Sequence, residues 1–91
     1  MFVTNLPARI VETKYKEIAS GSVLAVGNEG LGTRMKIHAD GVILTSAEQK
    51  DKTAGYKLTS GEVIEFSGCV DLYNRDSEKS VGVSVITTDS V

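Results

Sequence analysis

The sequence predicts an all-β protein, a small antiparallel β-sandwich or barrel of about seven or eight short strands. Turn signals such as Asp40-Gly41 and Ser67-Gly68 recur along the chain, and the apolar runs between them are short. Every second residue from 81 to 85 is valine, which is the period expected of a strand with one buried face. A chain of 91 residues has room for one domain, which we place at 10–91.

The N-terminal part of the chain supports fewer conclusions. Residues 1–9 are predicted to form an arm, because the Leu6-Pro7 step favours extended backbone. Within residues 8–19, Val11, Tyr15 and Ile18 follow a helical spacing, whereas the many β-branched and aromatic residues suit a strand. The sequence leaves both interpretations of this segment open.

A strand is predicted at 22–26, and the glycine-rich segment at 27–32 would end it. These glycines do not follow the dinucleotide-binding pattern G-x-G-x-x-G, and no helix follows them. Glu29 would also repel a phosphate group within such a loop. We therefore expect a β-turn connection here, not a phosphate site.

The clearest predicted element is a β-hairpin at 33–46 around Asp40-Gly41, a pair that is favoured in type I′ turns. Such a turn sets the register of the two strands, so that one face packs on the core and the other meets water. The core face would carry Met35, Ile37, Ala39, Val42 and Leu44, and the solvent face Arg34, Lys36, His38, Ile43 and Thr45.

A polar connection at 47–54 and a strand at 55–58 lead to a second predicted hairpin, at 61–74 around Ser67-Gly68. Its register turns Val63, Val70 and Leu72 towards the core. A small sheet in a monomer normally carries polar side chains on its other face. Here four apolar side chains point that way, so we predict a protein interface unless residues 2–18 of the same chain cover it. The four are Ile64, Phe66, Cys69 and Tyr73.

Charge and composition exclude several classes of function. Ten basic against twelve acidic residues give a net charge of −2, without the basic field of a nucleic-acid or membrane-surface binder. One cysteine cannot form an internal disulfide, and one histidine lacks partners for a zinc site or a catalytic triad. The chain shows no signal peptide and no apolar run of about 20 residues. We expect no cofactor and no metal.

The remaining polar residues predict no chemical site. His38 falls on the solvent face of the first hairpin, and Cys69 is interpreted as a small buried hydrophobe beside Phe66. The acidic residues between 71 and 78 are interrupted by Arg75 and lack the spacing of a calcium loop, so a solvated loop is favoured. We therefore predict a binding or structural role and no enzymatic activity.

The order of segments carries a resemblance to a known group of proteins. The segments are YKEIASG at 15–21, LTSGE at 58–62, VIEFSG at 63–68, VDLY at 70–73 and VGVSVI at 81–86. Together they resemble the small β-sandwich or β-barrel virion proteins of tailed bacteriophages, of the capsid-decoration, head-fibre and tail-adaptor kinds. The likeness covers about residues 12–87.

The resemblance implies a non-enzymatic structural protein that assembles in several copies on a virion, after synthesis in the host cytoplasm. Its expected partners are further copies of itself and a capsid or tail protein, with no nucleic acid, membrane or small-molecule substrate. The alternative is a small β-domain that binds a carbohydrate or a peptide. Against a carbohydrate binder, tryptophan is absent and the three tyrosines are scattered along the chain.

Overall fold

A computed structural model describes residues 9–89, so the predicted arm at 1–9 lies almost wholly outside the described residues. The described part is all-β, which confirms the predicted fold class. A short 3₁₀ turn, Lys52–Ala54, lies between the third and fourth strands. The six strands are Ile10–Ile18 (β1), Val23–Ile37 (β2), Val42–Thr45 (β3), Tyr56–Leu58 (β4), Val63–Asn74 (β5) and Val81–Thr88 (β6).

All six strands belong to one antiparallel sheet of order β1-β6-β2-β5-β3-β4. The long strands β2 and β5 pair with each other along most of their length. From residue 32 onwards β2 also pairs with β6, which in turn pairs with β1. The end of β5 also pairs with β3, which in turn pairs with β4. The sheet therefore has a first layer (β1, β6, the end of β2 and the start of β5) and a second layer (the start of β2, the end of β5, β3 and β4).

The two layers share one hydrophobic core. Its buried side chains come from every strand, so the sheet folds back on itself and packs its inner faces together as a small sandwich. Strands β2 and β5 pass from one layer to the other, as strands do at the corners of such sandwiches. The core residues are Ile18, Val26, Met35, Ile37, Val42, Leu58, Leu72, Val81, Val83 and Val85.

The glycine-rich segment of β2 provides the bend between layers. Three residues, 29–31, lie opposite a single step of β5 from Ser67 to Gly68, and an insertion of this kind bends a strand. Gly27 has φ of +105°, and a Cβ atom there would collide with the main-chain carbonyl of Gly68. The prediction that a loop at 27–32 ends the strand is therefore wrong, because β2 continues through it.

The predicted hairpin at 33–46 is also wrong. The Ile37 N–H donates to the Glu62 carbonyl at 3.0 Å, so β2 ends against the start of β5 and not against β3. Gly41 has a positive φ but Asp40 does not, which excludes a type I′ turn. Residues 38–41 cross from one layer to the other, and the Asp40 carboxylate accepts a 2.8 Å hydrogen bond from the Ser60 N–H.

The face assignments drawn from that hairpin are partly confirmed. Met35, Ile37 and Val42 are buried, Ala39 and Leu44 are half-buried, and Lys36 and His38 are exposed. Arg34, Ile43 and Thr45 are buried, contrary to prediction. Arg34 is buried because it pairs with Glu65 on the neighbouring strand β5. Ile43 and Thr45 are buried because the connection that follows β3 folds back over β3, where Gly55 lies against both residues.

The second predicted hairpin, at 61–74, is a single strand of 12 residues without a turn at Ser67-Gly68. Its even-numbered residues face the core throughout, because β5 is bonded to β2 on both sides of that step. Val63, predicted to be buried, is exposed instead. The other predicted strands are present: within the segment 8–19 the described residues, 9–19, contain β1 and no helix, 55–58 contains β4, and 81–86 lies within β6.

Candidate protein interaction site

Strand β1 forms one end of the sheet and is largely open to solvent. It pairs with β6 on one side, and within the described range it has no neighbouring strand on the other. Of its nine residues only Ile18 is buried. Ile10 and Val11 are each 51% exposed and Tyr15 is 62% exposed. At the opposite end of the sheet, β4 has three residues, so β1 is much the longer of the two end strands.

Alternate residues of β1 direct their backbone groups away from the sheet. The His38 N–H donates to the Gly82 carbonyl at 3.1 Å. Because the backbone groups of successive residues point to opposite sides of a strand, the even-numbered residues of β6 bond to β2 and the odd-numbered ones bond to β1. In the register of the β1–β6 pair, Thr13, Tyr15 and Glu17 lie opposite even-numbered residues. Their N–H and C=O groups therefore point outwards, as on any free sheet edge.

The outer face beside this edge is held in place by Tyr15. Its ring lies over Gly82, where any Cβ atom would collide with it, and its centroid is 5.9 Å from that of His38. The His38 Nε2 atom lies 2.7 Å from the Ser84 hydroxyl oxygen. An aromatic side chain that covers a glycine on a neighbouring strand stabilises the strand pair. These contacts fix the position of β1 on the sheet.

Two ion pairs lie along the edge. The Lys14 ammonium lies 3.3 Å from the Glu12 carboxylate, and both side chains are about half exposed. At the start of β1 the guanidinium of Arg9 lies 2.8 Å from the carboxylate of Asp89. A β-bulge at Val11 separates these two ion pairs. Any strand that pairs with this edge must match the charges of Glu12 and Lys14.

The structure does not bring the four predicted interface residues together. Ile64 and Phe66 are half-buried and pack against the core of the same chain. Cys69 and Tyr73 lie on the opposite, outer side of β5. The cause is the missing turn at Ser67-Gly68, since a continuous strand keeps 64, 66, 70 and 72 on one face. Contact of Cys69 and Tyr73 with a partner stays a prediction.

Cys69 and His38, the two other residues considered as chemical sites, both lie at the surface. Cys69 is exposed, so the interpretation as a buried hydrophobe is wrong, and its thiol lies 3.5 Å from the Gly27 carbonyl oxygen. His38 is exposed, as predicted.

The acidic loop is ordered by hydrogen bonds from its own backbone. The Glu78 N–H at 2.7 Å and the Lys79 N–H at 3.0 Å donate to the Asp76 carboxylate and hold its pKa below the ordinary value of 3.8. Asp71 lies instead against the Lys52 ammonium, at 3.0 Å. Residues 9–89 contain no group of three or more His, Cys, Asp or Glu side chains that could hold a metal ion.

Sequence reasoning missed the edge of β1. The segment fitted both a helix and a strand, and the strand order that leaves β1 at the end depends on pairs that are distant in sequence. The available signal was the alternation of Glu12, Lys14 and Lys16 with Thr13 and Tyr15.

Among residues 9–89 no helix has the length and apolar character needed to cross a membrane. Neither the protein-family models nor the curated protein sequences compared with the chain give a match.

Proposed function

We propose that this protein is a non-enzymatic structural protein that acts by assembling with copies of itself. The observation that carries the proposal is the edge of β1, which is nine residues long and exposes apolar side chains together with outward-pointing backbone groups. Such an edge is a template for another strand. Covering an aliphatic side chain the size of Ile10 or Val11 is worth up to about 1.5–3 kcal/mol, so a second strand would be stabilised there.

The charges on β1 are consistent with controlled assembly. Natural proteins protect exposed edges with lysine and other charged residues, which prevent pairing with arbitrary strands. Glu12, Lys14, Lys16 and Glu17 have this effect, but they still accept a strand whose charges are complementary. We therefore infer a specific assembly through this edge.

The resemblance to virion proteins of tailed bacteriophages supplies the setting of the proposal. In that setting the copies assemble on a capsid or tail, and a major virion protein is the second partner. The sandwich fold and its open edge support this proposal, since both suit a small subunit that is used in several copies.

Molar mass in solution tests the self-association. We expect light scattering to give a multiple of the 9.7 kDa chain mass, decreasing towards that mass on dilution. Thr13→Pro removes an outward-pointing N–H from the edge without breaking the β1–β6 ladder, so it is expected to give a folded monomer. The control is Val63→Lys, which changes an exposed apolar residue of β5 and is expected to leave the oligomer intact. A wild type that stays at 9.7 kDa at every concentration would contradict the proposal.

A further inference from the structure

We propose that two copies of this chain join their β1 edges in antiparallel fashion about a two-fold axis at Thr13, which makes one continuous sheet across both copies. The inference rests on the proposed self-association and adds its symmetry and its register. The partner is thus a second copy of the chain, and the contact is isologous, so the same surface is used by both.

Sheet geometry limits the possible registers. A two-fold axis perpendicular to the sheet keeps the inner face of one copy continuous with that of the other. Residues that lie opposite each other must then share a face, so an even-numbered residue meets an even-numbered one. The axis therefore passes through a residue position of β1, and the candidates with at least two residues of β1 on both sides are Glu12, Thr13, Lys14, Tyr15 and Lys16.

Charge complementarity selects Thr13. With the axis there, Glu12 of each copy faces Lys14 of the other copy. Because Glu12 and Lys14 already lie 3.3 Å apart within one chain, the four side chains would form a square in which every neighbour has the opposite charge. Opposite charges that face each other across paired strands are stabilising, and like charges are destabilising.

The other four positions bring like charges together. An axis at Glu12 places that carboxylate opposite its own copy, and an axis at Lys14 or Lys16 does the same with the ammonium groups. An axis at Tyr15 places Lys14 opposite Lys16, twice. The axis at Lys14 also pairs Glu12 with Lys16 of the other copy, twice, but two ammonium groups still face each other at its centre. Only the axis at Thr13 brings together charges that are all opposite in sign.

The side chains on the outer face of β1 are also complementary when the axis passes through Thr13. Thr13 meets Thr13 of the second copy, and Val11 meets Tyr15 of the second copy, twice. Threonine pairs and pairs of an aromatic with a β-branched residue are favourable across strands. Val11 and Tyr15 are among the most exposed apolar residues described, and both become covered. The bulge at Val11 bends the strand, so the shared segment extends from 11 to 15 in both copies.

Single cysteines on β1 test the register. Paired residues of an antiparallel ladder have Cα atoms about 4.5–5.5 Å apart, within the range of a disulfide. Thr13→Cys, Lys14→Cys and Tyr15→Cys are introduced one at a time in a Cys69→Ser background. Each new cysteine lies opposite its own copy in the dimer only if the two-fold axis passes through that residue. After mild oxidation we expect a cross-linked dimer from Thr13→Cys, while Lys14→Cys and Tyr15→Cys stay uncross-linked.

Two results would overturn the inference, and they differ in what else they overturn. A dimeric wild type in which Lys14→Cys or Tyr15→Cys cross-links in place of Thr13→Cys contradicts the register but leaves self-association intact. A monomeric wild type contradicts both the inference and the proposed function.

A charge-reversal pair tests the electrostatic basis separately. Glu12→Lys and Lys14→Glu alone each place four like charges at the centre of the interface, and we expect each to weaken the dimer about tenfold or more. In an equimolar mixture each lysine of the Glu12→Lys chain faces a glutamate of the Lys14→Glu chain across the two strands, so a heterodimer is expected to form more tightly than either variant alone. If Glu12→Lys dimerises as tightly as the wild type, charge pairing at Thr13 is contradicted.

Discussion

The side-chain amide of Asn74 donates a 3.0 Å hydrogen bond to the carbonyl of Ile18 and thereby joins β5 to β1 across the sandwich. The same amide donates to the Lys79 carbonyl at 2.8 Å, and its oxygen accepts from the Asp76 N–H at 3.0 Å. Asn74 has no exposed surface, so its hydrogen-bonding groups have no access to water. One side chain thus orders both the end of β1 and the loop that leads to β6.

We expect Asn74→Ala to lower the free energy of unfolding by about 2–4 kcal/mol, because it leaves three backbone groups without their partner. Asn74→Asp keeps the acceptor but loses both donors and places a charge in a buried site, so it is expected to be at least as destabilising. Urea unfolding followed by circular dichroism measures both. An Asn74→Ala variant with the wild-type midpoint would show that these hydrogen bonds do not stabilise the fold.

The bend of β2 predicts a difference between two glycines that both have positive φ. Gly27→Ala is expected to destabilise by about 2–4 kcal/mol, since backbone strain adds to a collision with the Gly68 carbonyl. Gly30→Ala is the matched control, because φ is +80° there but nothing lies near the added methyl group, and we expect about 1 kcal/mol. If thermal or urea unfolding shows the same loss of stability for Gly27→Ala and Gly30→Ala, the close approach at Gly27 is contradicted.

The carboxylate of Asp76 predicts a pH dependence of stability. Hydrogen bonds from the Glu78 and Lys79 N–H groups hold the pKa of Asp76 below 3.8 in the folded protein, so folding favours the ionised form. This contribution is fully present above pH 3.8 and is lost as the pH falls through the lower pKa of the folded state. Asp76→Ala should therefore lower the melting temperature near neutral pH and narrow its difference from the wild type in acid. A difference that does not change between neutral and acidic solution would argue against this role.

The exposure of Cys69 predicts rapid reaction with a thiol reagent in the native protein. Cys69→Ser is expected to change the free energy of unfolding by no more than about 0.5 kcal/mol, as is usual for surface substitutions. Labelling under native conditions compared with labelling in urea measures the exposure. A thiol that reacts only after unfolding would contradict the structure at this position.

The fold class could be predicted from the sequence because period-two alternation is local, as at Val81, Val83 and Val85. The absence of the two hairpins could not be predicted, because the pairs Asp40-Gly41 and Ser67-Gly68 are typical of turns whether or not a turn forms there. In β5 the alternation of Ile64, Phe66, Val70 and Leu72 continues in one phase through Gly68, and this signal favoured a single strand.

The candidate site was less accessible to sequence reasoning. Whether Thr13 and Tyr15 lie at a free edge depends on the position of β1 in the sheet, which is set by its pairing with β6 about 70 residues away. The predicted interface relied on the phase of one hairpin, and a shift of one residue moves every side chain to the other face. Ile64 and Phe66 changed faces for that reason.

The most direct test of assembly through β1 is amide hydrogen exchange of this strand, measured by NMR on the wild type and on Glu12→Lys. In the wild type at concentrations where it is dimeric, we expect protected amides at Thr13 and Tyr15, which bond to the second copy, and fast exchange at Glu17, which lies beyond the shared segment. In Glu12→Lys the first two should exchange fast, while Lys14 and Lys16, bonded to β6, stay protected in both proteins. Thr13 and Tyr15 amides that exchange as fast as that of Glu17 in the wild type would contradict the account.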